Sequence, residues 1–324
     1  MTVYQMPLME LQSLSELKLV EARLRELCRG NDSWTPLFSS SVTQGGKRLR
    51  PALVILCGSF QPVNKAELVD VATAAELIHA ASLVHDDVID QADSRRGKPT
   101  VSAQWGTHQA VLYGDFLFSR SFSLLTKHGY TGVLENMTRA ISLMCEAEIE
   151  QYARRFQCDV TEADYLSYIH KKTAFFLSAC CLAGAEASGM DLLQRKLLAS
   201  FGLELGYAFQ LTDDLLDYTG KMDITGKPVL HDLREGYLTL PIIKLLHHPQ
   251  HRFTLLQIIE QRQFTLENMA YIQTALYETG ILAEVTQKAR AMVTRAKRNL
   301  LTLPLKPARA ILSRLADYVT HREA

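Results

Sequence analysis

Neither sign of charge dominates this 324-residue chain: 35 Lys and Arg balance 35 Asp and Glu, for a formal net charge of zero. With the sequence pI near 7.1, no basic excess is available for nucleic acid or for a polybasic grip on a membrane. Cysteine is sparse and unpatterned. Cys28, Cys57, Cys145, Cys158, Cys180 and Cys181 show no Cys-x-x-Cys or zinc spacing, which excludes a zinc ribbon or a secreted disulfide framework and fits a reduced, cytoplasmic compartment. Met1–Glu10 lacks a basic region followed by a long apolar stretch, so no signal peptide is expected. The longest nearly apolar run, Thr173–Ala185, is too short to span a bilayer, and no transmembrane segment is expected. No Pro/Gly/Ser-rich linker, charge block or tandem repeat divides the chain, which therefore reads as one domain over residues 1–324. Alternating β-branched runs are nearly absent too, and with them the signal for a sheet.

What is there is apolar spacing of three and four. It predicts helices at roughly 8–28, 47–60, 64–92, 104–128, 132–156, 162–188, 191–219, 236–247, 251–261, 265–279, 281–302 and 307–320. Thr161 and Asp191 are expected N-caps, and Gly- and Pro-containing stops separate the segments. The fold class is all-α, a bundle of about 10–13 helices.

Two acidic runs interrupt this apolar pattern: His85-Asp86-Asp87-Val88-Ile89-Asp90 and Thr212-Asp213-Asp214-Leu215-Leu216-Asp217. On a helix Asp86 and Asp90 are neighbours at i, i+4, as are Asp213 and Asp217, and like charges at that spacing repel. Set among apolar residues they cost more still unless a cation joins them. Carboxylate oxygens suit Mg²⁺, which completes its shell with water and substrate phosphates. One such run alone is usually a solvated helix face. Two embedded copies, each followed by a basic loop (Arg95-Arg96-Gly97-Lys98-Pro99 and Gly226-Lys227-Pro228), point to a held diphosphate. Gly45-Gly46-Lys47-Arg48-Leu49-Arg50-Pro51 adds a clamp, with Lys47 and Arg50 at i, i+3 as phosphate-binding cations. Taken alone it would more often be a loop with ordinary surface charges. His79 stands seven residues before Asp86; a lone histidine there is commonly a core residue. Glu76-x-x-His79 could be half of a di-iron carboxylate site, but the chain has no second Glu-x-x-His.

Together these motifs resemble the trans-isoprenyl (polyprenyl) diphosphate synthases, over nearly the whole chain. The resemblance rests also on Gly114-Asp115, Lys172-Thr173, Phe209-Gln210 and Asp232-Leu233. It implies helices around a central deep cavity, the isoprenoid synthase type. It further implies a prenyltransferase that condenses isopentenyl diphosphate with an allylic diphosphate such as farnesyl diphosphate, in a dimer serving quinone biosynthesis. Asp86, Asp90, Asp213 and Asp217 would hold about three Mg²⁺ ions per site with the allylic diphosphate. Asp87 and Asp214 belong to the same catalytic runs. Arg95, Lys172 and Lys227 would add counter-charge, with Thr173 and Gln210 beside the reacting carbons. Lys47, Arg50, His79 and Arg96 would bind isopentenyl diphosphate. One position departs from the family: Tyr237 follows Asp232-Leu233-Arg234-Glu235-Gly236, where Lys is frequent.

Product length is written in small residues. Ala81 and Ser82, five and four positions before Asp86, would leave a tunnel open where short-chain members of the family carry an aromatic. With Ile78 deeper on that helix, and Met137, Ile141 and Met144 opposite as a floor, the expected product is about C30–C40. The alternatives are the catalytic subunit of a two-component hexaprenyl or heptaprenyl synthase, inactive without a small regulatory partner, and a C15–C20 synthase. A non-catalytic regulatory subunit fits poorly with two intact acidic motifs. A class I terpene cyclase would normally carry an Asn/Ser/Glu-type second metal motif.

Overall fold

Residues 11, 13–27, 47–95, 97–219 and 229–321 are described by a computed structural model. The helices α1 (Ser15–Leu27), α2 (Leu49–Gly58) and α3 (Lys65–Ile89) come first. A two-residue antiparallel hairpin, β1 (Ser94–Arg95) and β2 (Lys98–Pro99), follows. The chain continues through α4 (Val101–Trp105), α5 (Thr107–Lys127), α6 (Thr131–Ala153) and α7 (Glu162–Ile169). One π-helical turn, His170–Ala174, leads into α8 (Phe175–Ala187), and α9 (Leu192–Thr219) carries the second acidic run. Shorter helices then lead to the end: α10 (His231–Arg234), α11 (Leu240–Leu246), α12 (Arg252–Glu260), α13 (Leu266–Glu278), α14 (Ile281–Leu300) and α15 (Pro307–Val319).

One apolar core takes residues from every α-helix, the two motif helices included. Helix α3 packs on α5 and α2, α8 packs on α2 and α9, and α9 packs on α14. Close approach is built in by glycine: a Cβ on Gly206 of α9 would lie 2.4 Å from the Ala174 Cα, so the motif helix seats directly against the π-turn. Helix α3 begins where Asn64 accepts from the Ala66 N–H, and its first sixteen residues after Lys65 are mostly buried. It is long and apolar enough to cross a bilayer by length and composition, yet 78% of its most apolar window is buried inside the structure. It reads as the core helix of the fold.

The expected caps form: Thr161 and Asp164 make a reciprocal capping box at α7, and Asp191 accepts from the Gln194 N–H at the start of α9. Three expectations need correction. The segment 104–128 is two helices, because Gly106 at φ 90° breaks it and Thr100 caps α4 through the Ala103 N–H. The segment 162–188 is interrupted by the π-turn. Helix α11 starts at Leu240 rather than 236, preceded by the separate turn α10. The β1–β2 hairpin was unannounced, since two residues per strand are too few for an alternation signal.

Candidate active site

A cavity of about 1060 Å³ opens between α2, α3, α5, α6, the π-turn and α9. That is slightly above the usual range for ligand sites. Asp86 and Asp87 from α3 and Asp213 from α9 reach its wall, so the topology brings the two acidic runs to one space. Lys47, Arg50, His79, Arg95, Lys172, Thr173 and Gln210 line it as well. Lys227 and Arg96 lie outside the described residues.

Local geometry gives each carboxylate a different job. Asp86 is pushed up to about 6, first by burial; Lys172 and Arg95 oppose that shift, while Glu148 and Asp90 add to it. Asp87 is turned to Arg95, whose Nε donates to its Oδ1 at 2.7 Å. Asp90 is exposed at the C-terminal end of α3, and its N–H bonds the Asp86 carbonyl at 2.8 Å. On α9, Asp214 is buried away from the cavity wall. Burial raises it to about 7 against hydrogen bonds from Tyr165 and Gln210, with Asp232 and Asp213 raising it further. Asp217 accepts the N–H groups of His231 and Asp232 and so caps α10.

The π-turn itself carries Lys172 and Thr173. A π-turn adds a residue to the helical repeat and swings the following side chains. Lys172 Nζ meets Glu148 Oε1 at 2.6 Å and stands over the Tyr168 ring at 5.4 Å. Burial disfavours its charge, but Tyr168 and Glu148 hold it protonated, well above the ordinary lysine range. Thr173 Oγ1 donates to Gln210 Oε1 at 2.7 Å, and Gln210 Nε2 donates to Asp214 Oδ1 at 2.8 Å. Tyr165 completes this chain by donating to the other Asp214 oxygen. The polar groups expected beside the reacting carbons are thus fixed by a relay that ends on the second acidic run.

Asp214 provides a pH test on the metal-free protein. A carboxyl raised from 3.8 to about 7 binds its proton more tightly folded than unfolded. Its contribution to stability is therefore fully present below about pH 4 and is lost as pH rises to about 7. Asp70 and Glu162, whose carboxyls are held down, give the opposite slope in acid, so the comparison must be made between variants. Asp214→Asn should gain stability relative to the parent as pH rises from 4 to 7, by at most about 4 kcal/mol. Chelator-treated protein, melted from pH 4 to about pH 9, should show the difference growing to about pH 7 and levelling above it; a difference that does not change with pH would refute the assignment.

The structure also adds residues that pattern reading missed. Glu148 of α6 faces Asp86 and Lys172, but it lies in a helix rich in glutamates and no motif marks it. Phe118 of α5 lines the cavity and packs edge-on against His85 at 5.8 Å. Gly114 explains how α5 comes so near: a Cβ there would lie 2.1 Å from His85 Nε2. Tyr237, at the departing position, has Arg155 5.4 Å from its ring centroid. Burial raises its phenol; Arg155 and Lys172 lower it, while Asp90 and Glu148 raise it, which places it at the same rim.

The chain-length residues divide. Ser82 and Ile141 line the cavity, as does Met144. Ala81, Ile78 and Met137 are fully buried in the core and are absent from the described cavity wall, contrary to the expectation that Ala81 faces the tunnel. Helical geometry gives the reason. At about 100° per residue, Ser82 lies about 40° around α3 from Asp86, whereas Ala81 lies about 140° away and faces the core.

Among the described residues no three His, Cys, Asp or Glu side chains converge as a metal cage. The donors are carboxylate oxygens on two helices beside one cavity. That set fits a hard cation bound through one or two carboxylates, with water and phosphate completing the shell, and does not fit a structural zinc.

Comparison with known proteins agrees with this geometry. The Polyprenyl synthetase family model matches residues 33–294. Heptaprenyl diphosphate synthase component 2 of Geobacillus stearothermophilus is 36% identical over 279 residues, 86% of this chain and 87% of that protein. Octaprenyl diphosphate synthase of Escherichia coli (strain K12) is 36% identical over 286 residues, 87% of this chain and 88% of that protein. The crystal structure of a polyprenyl synthase from Caulobacter crescentus CB15, complexed with calcium and isoprenyl diphosphate, superimposes with a TM-score of 0.90 at 32% identity, covering 98% of both chains. With two acidic helix turns set on one large cavity and a family match across most of its length, the chain belongs to the polyprenyl synthetase family and is a prenyltransferase.

Proposed function

We propose that the chain condenses isopentenyl diphosphate with an allylic diphosphate such as farnesyl diphosphate, with Mg²⁺, to give an all-trans polyprenyl diphosphate of about C30–C40 for a quinone side chain. The observation that carries this reading is the cavity itself. It joins residues of both acidic runs and the cations Lys47, Arg50, Arg95 and Lys172 to apolar Phe118, Ile141 and Met144, and the α3 residue four before Asp86, Ser82, is small. Asp86 and Asp213, with Asp90 and Asp217 beside them, are the residues to hold Mg²⁺, about three ions per site. When bound, the metal supplies charge neutralisation of the departing diphosphate.

Arg95 and Lys172 sit where that diphosphate gathers negative charge. Both are held by carboxylates, Asp87 and Glu148, which keeps them oriented before substrate arrives. Lys47, Arg50 and His79 form the cationic end for isopentenyl diphosphate. Its double bond attacks the allylic carbon, the carbon–oxygen bond breaks, and a proton leaves to the released diphosphate, for which no side chain is reserved. Thr173 and Gln210, locked by their relay, border the reacting carbons, and the apolar walls keep water from the cation.

A second reading has support from a relative's name: heptaprenyl diphosphate synthase component 2 is named as one component of a larger enzyme. This chain would then need a small partner. A homodimer active by itself is the first reading. One assay separates them: purified chain alone, labelled isopentenyl diphosphate, farnesyl diphosphate and Mg²⁺. Products of C30 or longer support the first reading, about C20 or shorter overturns the open tunnel, and a folded but silent protein selects the two-component reading.

A further inference from the structure

Three cations fall within four residues at the start of α2, and the middle one is set apart. Lys47 is exposed and stands 5.7 Å from the centre of the Tyr318 ring, at the cavity. Arg50 packs over Phe176 at 5.3 Å. Arg48 instead pairs with two carboxylates: its Nε with Glu21 of α1 and its Nη1 with Glu76 of α3. Its backbone lies in the left-handed region, φ 46° and ψ 38°, which a long side chain occupies only when its surroundings over-determine it. Here the over-determining contacts are the two ion pairs, which draw three helices together at the residue between Lys47 and Leu49.

Glu76 makes this more than a structural knot. Its side chain is 8% exposed, it lines the cavity, and it precedes His79 by one helical turn on α3. A bare carboxylate at that spot would face the end of the cavity where Lys47, Arg50 and His79 gather, and would repel an anionic ligand there. Arg48, which lines the cavity beside it, neutralises it through Nη1.

We infer that Arg48 is a positioning residue for the isopentenyl diphosphate end of the site: it cancels the Glu76 charge and, through Glu21, fixes the turn from which Lys47 and Arg50 project. This rests on the assignment of that end under the proposed function. Steady-state kinetics on the full chain, with wild type as the control for the overall reaction, tests it. If wild type does not extend farnesyl diphosphate at all, the functional reading fails; if it does, the variants address Arg48 alone.

Arg48→Met should raise the KM for isopentenyl diphosphate roughly tenfold or more, with kcat and the KM for farnesyl diphosphate within about twofold. Glu76→Gln alone should shift that KM by less than about threefold, and Arg48→Met/Glu76→Gln should recover most of the loss, because the uncancelled charge has gone. A merely structural role predicts the reverse: both substrates affected alike, and the double variant no better than Arg48→Met. Either result would overturn the inference. Should Arg48→Met fail to fold, Arg48→Lys decides. It keeps the charge and should leave the isopentenyl diphosphate KM within about threefold, so a tenfold rise would count against neutralisation.

Discussion

Asp86→Asn should lower turnover by about a thousandfold or more while leaving the metal-free fold at least as stable. The argument starts from the cost of the carboxylate. Burial, Glu148 and Asp90 all push its proton affinity up, and Lys172 and Arg95 offset only part of that. An ionised Asp86 is therefore a net liability to the empty protein, which asparagine of the same shape removes. In the loaded enzyme the balance reverses, because a hard cation needs the negative oxygen and an amide is a poor substitute. The diagnostic result is the split: turnover collapses, the Mg²⁺ concentration needed for residual activity rises, and the melting temperature in chelator does not fall. Product release measured by labelled isopentenyl diphosphate, beside melting curves, gives both numbers. Activity within tenfold of the parent would remove Asp86 from the metal-holding set.

Ser82→Phe should cut the product to about C15–C20, a change of kind and not of rate. Ser82 faces the cavity one turn below Asp86, and its hydroxyl is returned to the His79 carbonyl at 2.9 Å, so it contributes little more than its small volume to the wall. A phenyl ring there would stand across from Ile141 and Phe118 and close the apolar end. Packed interiors do not yield to such a ring without strain. The first condensations, which need only the rim, should continue at a rate near the parent's. Chromatography of the dephosphorylated products reads the outcome. An unchanged C30-or-longer product would mean that the growing chain leaves the rim by another face of α3.

How much of this was visible in the chain can be judged residue by residue. Asp86, Asp87 and Asp213 were legible because charged residues inside an apolar repeat need a physical excuse, and a bound cation with diphosphate is the strongest one available. Lys47 and Arg50 were legible for a similar reason: their spacing and the flanking glycines narrow the possibilities. Glu148 was not legible. It differs from Glu146 and Glu150 only in which way it faces, and that follows from how α6 leans on the π-turn. The π-turn itself, which aims Lys172 at Glu148 and Thr173 at Gln210, leaves no trace in a pattern read at 3.6 residues per turn. Ala81 and Ser82 could not be separated by counting, since one residue turns a side chain by about 100° and only packing fixes the zero.

By itself, then, the sequence determined the composition of the site and the class of fold: helices from the three-and-four spacing, and a diphosphate-and-metal chemistry from two buried-looking acidic runs with cations nearby. The tertiary structure alone decided which carboxylates face the cavity, which ones serve neighbours such as Arg95 and the N-terminus of α10, and where the tunnel wall lies. The physical reason is range. Local pattern fixes what a side chain is and roughly where it sits on its helix, whereas its partner depends on the rotation and approach of a second helix, which for α3 and α9 lies more than about a hundred residues away in the chain.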